Sequence, residues 1–522
     1  MLIIYFVKIC VAQIKCRIFR FNEILNEFKV NCEYAIQNKV DILVFPFIFI
    51  EGIEYENLFY RPEYVKKILY CIDFIKGQVD AGLCVVFGHY NFYDGKLFDC
   101  ISVVSDHQYI LTTREVNVPV LFSYKGQSIA VLNLDDELLF HKSQYKFHDS
   151  FSKIDYLVIP SKSYFTCEKN NLRLEFFKDV AIKNNLEIAY ANLYGIYDSI
   201  VFDGLSFFIN KYGKIKQAKE FEYDILFNEE FYDLEFDCES KIFDKLLGAL
   251  VISLREYVAL AGFEKVHLGV SGGIDSALVA YIACTALGAN RVIGIFMPSR
   301  FSSKGSVLDA ERLANELGFE LIHMPIESMF QFSLDYLDGY LNTKGVTEEN
   351  LQARLRGLFL MSYSNANRSL LLNTGNKSEI AVGYCTLYGD SCGGISLIGD
   401  LFKLDVYNLA RYVNKKEGRE VIFSNILLKE PSAELRADQK DSDSLPTYEV
   451  LDGILNRYLL ENEPLELLYK SFGKEVVVRV LDLYSGSEYK RRKGPMIVKV
   501  SKKAFGSDIF LPISRVALIE DE

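Results

Sequence analysis

The segment Lys265-Val-His-Leu-Gly-Val-Ser-Gly-Gly-Ile-Asp-Ser-Ala-Leu-Val279 decides how the second half of this 522-residue chain is read. Its apolar run, Val266 to Val270, predicts a buried strand that empties into Ser271-Gly272-Gly273. A helix is expected to open at Ile274, with Asp275 in its first turn. Two glycines permit a tight turn and close approach to a ligand, and the first amides of a helix attract an anion. Ser271 and Ser276 add hydroxyls, while Asp275 suits a divalent cation bridging phosphates. No Lys-Ser/Thr pair closes the loop, so it is not a Walker A motif. A plain Gly-Gly turn would leave the same local pattern, and the choice between the two readings rests on residues further along.

The length predicts two or more domains, each with its own core. A formal net charge of −12 disfavours a nucleic-acid partner held on a broad basic face, though not a nucleotide in a local pocket. Hydrophobic residues make up 50% of the chain, yet charges interrupt every apolar stretch before the roughly 18 residues a membrane helix needs. No membrane partner is therefore expected. Met1-Leu-Ile-Ile-Tyr-Phe-Val-Lys-Ile-Cys10 reads as a buried first strand rather than a signal peptide. Eleven cysteines without a Cys-x-x-Cys pair suit reduced thiols and a cytoplasmic location.

Strands alternate with helical stretches throughout, so both halves are expected to be α/β. Asp41–Pro46, Cys84–Gly88, Ile129–Leu132, Tyr156–Pro160 and Leu186–Tyr190 read as buried strands of the first half. Residues 226–245, acidic and aromatic with little pattern, are expected as a linker between domains at 1–225 and 246–522. A helix from Ile242 to Ala261, then strands at Arg291–Phe296 and Leu370–Asn373, belong to the second half.

Three constellations follow the loop. In Thr347-Glu-Glu-Asn-Leu-Gln-Ala-Arg-Leu-Arg-Gly357, residues Asn350, Arg354 and Gly357 share a helix face at i, i+4 and i+7. A surface laced with salt bridges would read the same way. Leu372-Asn-Thr-Gly-Asn-Lys-Ser-Glu379 is a second strand-to-helix turn, in which Thr374 can bond a nucleotide. Glu379 there either complements the helix dipole or joins Asp275 on one magnesium ion. In Val382-Gly-Tyr-Cys-Thr-Leu-Tyr-Gly-Asp-Ser-Cys-Gly-Gly394, Asp390 could grip an ammonium ion, although Asp is also common in turns.

Ser271 to Ser276, Met297-Pro-Ser-Arg300, Glu349-Asn350, Thr374 to Glu379, Tyr388-Gly-Asp390, Lys429-Glu-Pro-Ser-Ala-Glu-Leu-Arg436 and Gln439-Lys-Asp-Ser-Asp-Ser-Leu-Pro446 together resemble the NAD synthetase family in sequence, order and spacing. The loop itself is similar to the pyrophosphate loop of ATP pyrophosphatases. The resemblance covers about residues 240–520 and implies a Rossmann-like parallel-sheet domain of the ATP pyrophosphatase (adenine nucleotide α hydrolase-like) kind. It implies ATP-dependent amidation of nicotinic acid adenine dinucleotide (deamido-NAD) to NAD through an adenylate, with release of AMP and pyrophosphate. By the same resemblance Ser271, Gly272, Gly273, Ile274, Asp275, Ser276, Ala277, Leu278 and Thr374 bind ATP. Asn350, Arg354, Glu379 and Lys499 lie at deamido-NAD, Asp275 and Glu379 hold Mg2+, and Asp275, Glu379 and Asp390 carry the chemistry. Lys377 and Lys403 are expected as phosphate partners, with Leu404 where the family usually has Thr. The polar loop from Lys429 to Ser444 is expected to act as a lid that keeps water from the adenylate. A homo-oligomer, dimeric or larger, is also implied.

Residues 1–215 resemble the nitrilase-like amidase domain of glutamine-dependent members, an α-β-β-α sandwich, through Ala12-Gln13, Asp41–Pro46, Leu58-Phe-Tyr-Arg-Pro62, Asn192–Gly195 and Val201–Gly204. That amidase uses a Cys nucleophile, a Glu base and a Lys that steadies the oxyanion. Phe47 stands where the family has the Glu, Glu115 where it has the Lys, and Leu134 where it has the Cys; Tyr197 replaces a Gln. The resemblance thus implies a lost glutaminase triad and nitrogen taken from ammonia, free or passed on by a separate glutaminase. Cys84, Cys100 and Cys167 are the candidates for a relocated nucleophile. Two rival readings are another pyrophosphate-loop enzyme, such as a GMP or asparagine synthetase or a tRNA-modifying enzyme, and a nucleotide-binding pseudoenzyme. Lys429–Arg436 argues against the first, and retention of Asp275 and Glu379 against the second.

Overall fold

A computed structural model describes residues 7–17, 19–47, 61–80, 82–94, 96–134, 154–236 and 239–514. The chain divides into two compact units, Met1–Lys245 and Leu246–Glu522.

The strands of the first unit are β1 (Ile9–Gln13), β2 (Ile42–Phe47), β3 (Cys84–Tyr93), β4 (Lys96–Ser105), β5 (Gln108–Thr113), β6 (Val120–Tyr124) and β7 (Gln127–Val131). They continue with β8 (Tyr156–Pro160), β9 (Glu187–Ala191), β10 (Tyr194–Tyr197), β11 (Ile200–Asp203), β12 (Phe207–Ile209), β13 (Ile215–Gln217) and β14 (Asp224–Phe227). Two six-stranded sheets result, in the orders β14-β1-β2-β3-β4-β5 and β13-β12-β9-β8-β7-β6, while β10 and β11 pair as a hairpin. Alternation along each strand builds the layers. Ile9, Val11, Ile42, Val44, Cys84 and Val86 of one sheet share a core with Ile129, Val131, Val158 and Ala189 of the other. The intervening Cys10, Leu43, Phe45, Val85 and Phe87 pack under α1 (Phe21–Gln37) and α2 (Pro62–Gly77). Ala130, Leu132, Leu157, Ile159, Ile188 and Tyr190 lie beneath α3 (Lys169–Asn184). Helix, sheet, sheet and helix make the expected α-β-β-α sandwich. Its central strands are covered on both faces, which is why they read as unbroken apolar runs.

Two differences from expectation stand out. The first strand starts at Ile9, and residues 1–6 of the expected run lie outside the described residues, as do Leu58–Tyr60. The segment expected as a linker carries structure at both ends: Leu226 and Phe227 pair with Val11 and Cys10, and α4 (Glu239–Leu260) begins by Glu239. A short edge strand needs few apolar residues, so β14 leaves little pattern.

The second unit holds β15 (Lys265–Gly269), β16 (Val292–Phe296), β17 (Glu320–His323), β18 (Ser369–Asn373), β19 (Ile395–Ser396) and β20 (Met496–Ile497). Their order is β17-β16-β15-β18-β19-β20, and every pairing is parallel. The chain doubles back at β15, which has β16 on one side and β18 on the other. Parallel strands put their carboxyl ends on one edge, and the crevice at such a reversal is where ligands bind. The helices around the sheet include α5 (Ile274–Leu287), α6 (Lys304–Leu317), α7 (Glu327–Asp338), α8 (Val346–Asn367), α9 (Lys377–Val382) and α10 (Lys403–Glu417). No helix among the described residues is long and apolar enough to cross a membrane.

Candidate active site

A cavity opens at that reversal, lined by Ser271, Gly273, Ile274, Asp275 and Ser276 after β15, Met297 after β16, and Thr374 and Gly375 after β18. Gly272 is forced by geometry: its φ is +75°, and a Cβ there would collide with the backbone of Ser306 on α6. Gly273 caps α5 from extended backbone, so the free amides of the first turn face the cavity. The hydroxyls close the loop on itself. Ser276 Oγ donates to the Gly273 carbonyl at 3.0 Å, and Ser271 Oγ accepts from the Gly273 amide at 3.2 Å. Ala277 and Leu278 are fully buried under the loop and brace it from behind.

Asp275 and Glu379 converge on one ammonium. Lys403 Nζ, at the start of α10, donates to Asp275 Oδ2 at 2.6 Å and to Glu379 Oε1 at 3.3 Å. One reading of Glu379 is seen directly: Oε2 accepts the Asn376 amide at 3.3 Å in a capping box, while Oε1 faces Lys403. Asn376 also donates to Asp275 Oδ1 at 3.0 Å, fixing that carboxylate's direction. Burial pushes the Glu379 carboxyl well above the usual carboxylate range; Lys403 opposes the rise, and Asp275 and Asp441 add to it. Burial disfavours the Lys403 charge, but Asp275 and Glu379 outweigh it and hold the ammonium above its ordinary value.

The shared face of α8 grips the Gly-rich turn. Asn350 Oδ1 accepts from Thr386 Oγ1 at 2.7 Å, Arg354 Nε donates to the Leu387 carbonyl at 3.3 Å, and a Cβ at Gly357 would press on the Gly389 carbonyl. Those contacts hold Asp390 in the cavity wall, where its Oδ1 accepts the Thr386 amide at 2.6 Å. Burial raises the Asp390 carboxyl, and the Thr386 amide pulls it back.

Two expected phosphate or substrate cations stand elsewhere. Lys377 is fully buried away from the cavity, its three protons taken by Asp400 at 2.7 Å, Ser501 at 2.8 Å and the Lys503 carbonyl at 2.6 Å. A lysine so saturated acts as a structural strut here, apart from the cavity where phosphate is expected. Lys499 donates to Asp508 at 2.6 Å and is not part of the cavity lining. Neither Asn350 nor Arg354 lines the cavity; both act on the turn. Conversely, the lining includes Arg356, Lys429, Glu434 and Asp441, none of which the sequence reading singled out for a role of its own. Only their membership of quoted motifs marked them.

In the first unit, Phe47 is buried at the end of β2, its ring filling the space a side chain at Gly88 would need. Lys162 Nζ lies 5.0 Å from the centre of that ring and donates to Tyr90 Oη at 2.7 Å and Asp99 Oδ2 at 2.6 Å. Leu134 packs against the core beneath α3, and Glu115 is exposed beyond β5. Cys84 belongs to the core shared by the two sheets, and Cys100 is equally buried; burial pushes their thiols up to about 12 and about 11. Such thiols are poor nucleophiles at neutral pH.

A parallel sheet that reverses at a Ser-Gly-Gly loop, with two carboxylates on one cation, puts the second unit in the class of Rossmann-like nucleotide-binding domains. A family model for NAD synthase matches residues 246–494. The glutamine-dependent NAD(+) synthetase of Thermotoga maritima is 32% identical over 573 aligned positions, 96% of this chain and 98% of that protein. The Synechocystis protein of the same name is 39% identical across 76% of this chain and 74% of its own length. The solved structure of the Acinetobacter baumannii glutamine-dependent NAD+ synthetase, in complex with adenosine diphosphate, matches with a TM-score of 0.74 and 30% identity, covering 98% of this chain and 99% of that one. The chain belongs to the glutamine-dependent NAD(+) synthetase family.

Proposed function

We propose that this member makes NAD from deamido-NAD and ATP through an adenylate, using ammonia that its own first unit does not liberate. A carboxylate resists attack by an amine, so it must first become a mixed anhydride. The α5 amides and the Ser271–Ser276 loop suit the ATP phosphates, with Thr374 beside them. Magnesium would be held by Asp275 and Glu379; two carboxylates plus phosphate oxygens is a usual arrangement for that ion, and their common approach to Lys403 fits it. Bound there, it would neutralise charge on the leaving pyrophosphate. Lys403 keeps a positive charge beside the same oxygens. Asp390, its proton affinity raised by burial, takes a proton from ammonium so that neutral ammonia can attack. The loop around Lys429 to Ser444 shields the adenylate, held by Glu434, which accepts from Ser303 Oγ and Lys429 Nζ, each at 3.0 Å.

The observation that carries the nitrogen half is Phe47: a buried aromatic ring beneath a lysine cannot act as a base. Burial raises the thiols of Cys84 and Cys100 and weighs against either as a relocated nucleophile, which leaves the half-buried Cys167 as the remaining candidate. Purified protein with deamido-NAD, ATP, Mg2+ and ammonium chloride should release NAD and AMP together. Glutamine as sole nitrogen source should give neither above background. Glutamine-driven synthesis by the pure protein would overturn this half of the reading, and failure with both donors would overturn the other.

A further inference from the structure

Two loops that line the cavity lie far apart in the chain, and one buried side chain joins them. Gln352 on α8 has no solvent exposure. Its Oε1 accepts a hydrogen bond from Ser299 Oγ at 3.0 Å, and its Nε2 donates to the Leu435 carbonyl at 2.8 Å. A backbone carbonyl can only accept, so the Leu435 contact fixes which end of the amide carries nitrogen. Ser299 belongs to the Met297–Arg300 segment that leaves β16; Leu435 belongs to the polar loop, next to Glu434 in the cavity wall. Gln352 is not in that wall, so it acts through what it holds.

Neighbouring positions on α8 reinforce the tie. One turn on, Arg356 Nε donates to the Met297 carbonyl at 3.1 Å, and three residues back Glu349 meets Arg436 at 3.6 Å. A different face of the same helix, through Asn350 and Arg354, holds the Asp390 turn. Displacing either loop would strand one end of a buried amide without water to replace its partner, which favours the loops moving together.

We propose that Gln352 is a positioning residue that couples the Met297–Ser299 segment to the polar loop, so that the cavity is sealed only when both are in place. The proposal rests on the NAD synthetase reading for its consequence: with the polar loop loose, water reaches the adenylate and ATP is spent without amide formation. Gln352→Leu removes both bonds. Gln352→Glu keeps the acceptor for Ser299 but sets a carboxylate against the Leu435 carbonyl, and it provides the measurement should the Leu variant not fold.

With ammonium chloride as donor, the wild-type protein should form about one AMP per NAD, and each variant at least about threefold more. Tryptic cleavage after Arg436 or Lys440 should speed up in both variants, with the melting temperature checked to separate local loosening from global unfolding. Ser299→Ala should shift the AMP-to-NAD ratio less, because the Leu435 bond survives. An unchanged ratio together with unchanged cleavage in either Gln352 variant overturns the coupling. If the wild-type protein made no NAD from any donor, the family reading would be at fault, while the cleavage comparison would still decide whether Gln352 holds the loop.

Discussion

Each unit places a lysine over a candidate reaction centre, and the company of that lysine separates the two. In the second unit Lys403 faces two carboxylates, Asp275 and Glu379, at the wall of a cavity that opens onto a phosphate-type loop. In the first, Lys162 faces one carboxylate, one phenol and two aromatic rings, at the end of a strand where Phe47 is sealed. Carboxylates gathered around a cation can take a divalent metal and a substrate phosphate; aromatic rings around a cation can only cover it. The Lys403 centre has the electrostatics of a reaction, the Lys162 centre those of a closed seam. On the function proposed above, that difference is how one chain can keep both folds of its family while the chemistry runs in the second unit.

The largest test acts on the cation's partners. Asp275→Asn preserves shape and removes a charge. It should lower kcat/KM for NAD formation from ammonia by at least about a hundredfold, on the scale of losing one preorganised charge in an active site. Calorimetry should show weaker Mg2+ binding, and the melting temperature should hardly move. The matching change in the first unit, Asp99→Asn, should leave the ammonia-driven rate within about twofold, because the proposed synthesis runs in the second unit. A near-normal rate for Asp275→Asn removes it from the metal site. A collapse of the rate in Asp99→Asn would break the contrast.

Legibility followed sequence distance. The β15 strand, the loop and the α5 start were readable because the pattern is contiguous, and the α8 face because helical spacing is fixed. The reading of that face went further than its residues alone: Asn350, Arg354 and Gly357 meet one turn, 30 or so residues on. Lys403 was expected at phosphate, yet it stands between carboxylates 128 and 24 positions away, a placement set by the β15–β18 adjacency and invisible to local pattern. Lys377 stands apart from the cavity for the opposite reason. It sits in the quoted motif, but its side chain turns toward Asp400, and nothing in the motif tells a strut from a ligand. Lys162 gave no signal, since a lysine between two serines after a strand looks like any solvated loop residue.

Acid should separate the units. His89 in the first and His267 in the second are both buried, and burial pulls each down to about 4, the carbonyls of Tyr90 and Leu360 opposing the fall. An unfolded histidine titrates near 6.5, so between those values the unfolded chain binds more protons and stability falls as pH drops. The full effect is on the order of 3 kcal/mol per histidine. In the second unit, carboxyls shifted the other way offset it. Asp452 is raised to about 7 by burial, and Glu379 is raised as well, so protonation of these groups favours the fold as pH falls. The first unit has Glu187 raised by burial, a smaller counterweight. On titration from pH 7 to 4, hydrogen exchange should therefore rise in residues 7–236 before residues 246–514. Simultaneous opening would show that the carboxyl offset is absent.

The smallest effect expected is at Lys162 itself. Its side chain is about one-third exposed at 32%, so Lys162→Met takes away an ion pair and a phenol contact that water already screens in part. The methylene stem would still cover the Phe47 ring, and the thioether would remain in aromatic contact. Unfolding should become easier by only about 1 kcal/mol in urea titration, with the ammonia-driven rate unchanged. On the proposed reading glutamine hydrolysis is not gained, because Phe47 offers no base and Leu134 no thiol. The informative outcome is a large loss of stability. It would mean that the cation holds the sandwich together at this seam, so that packing around Lys162 is by itself a reason for the chain to keep its first unit.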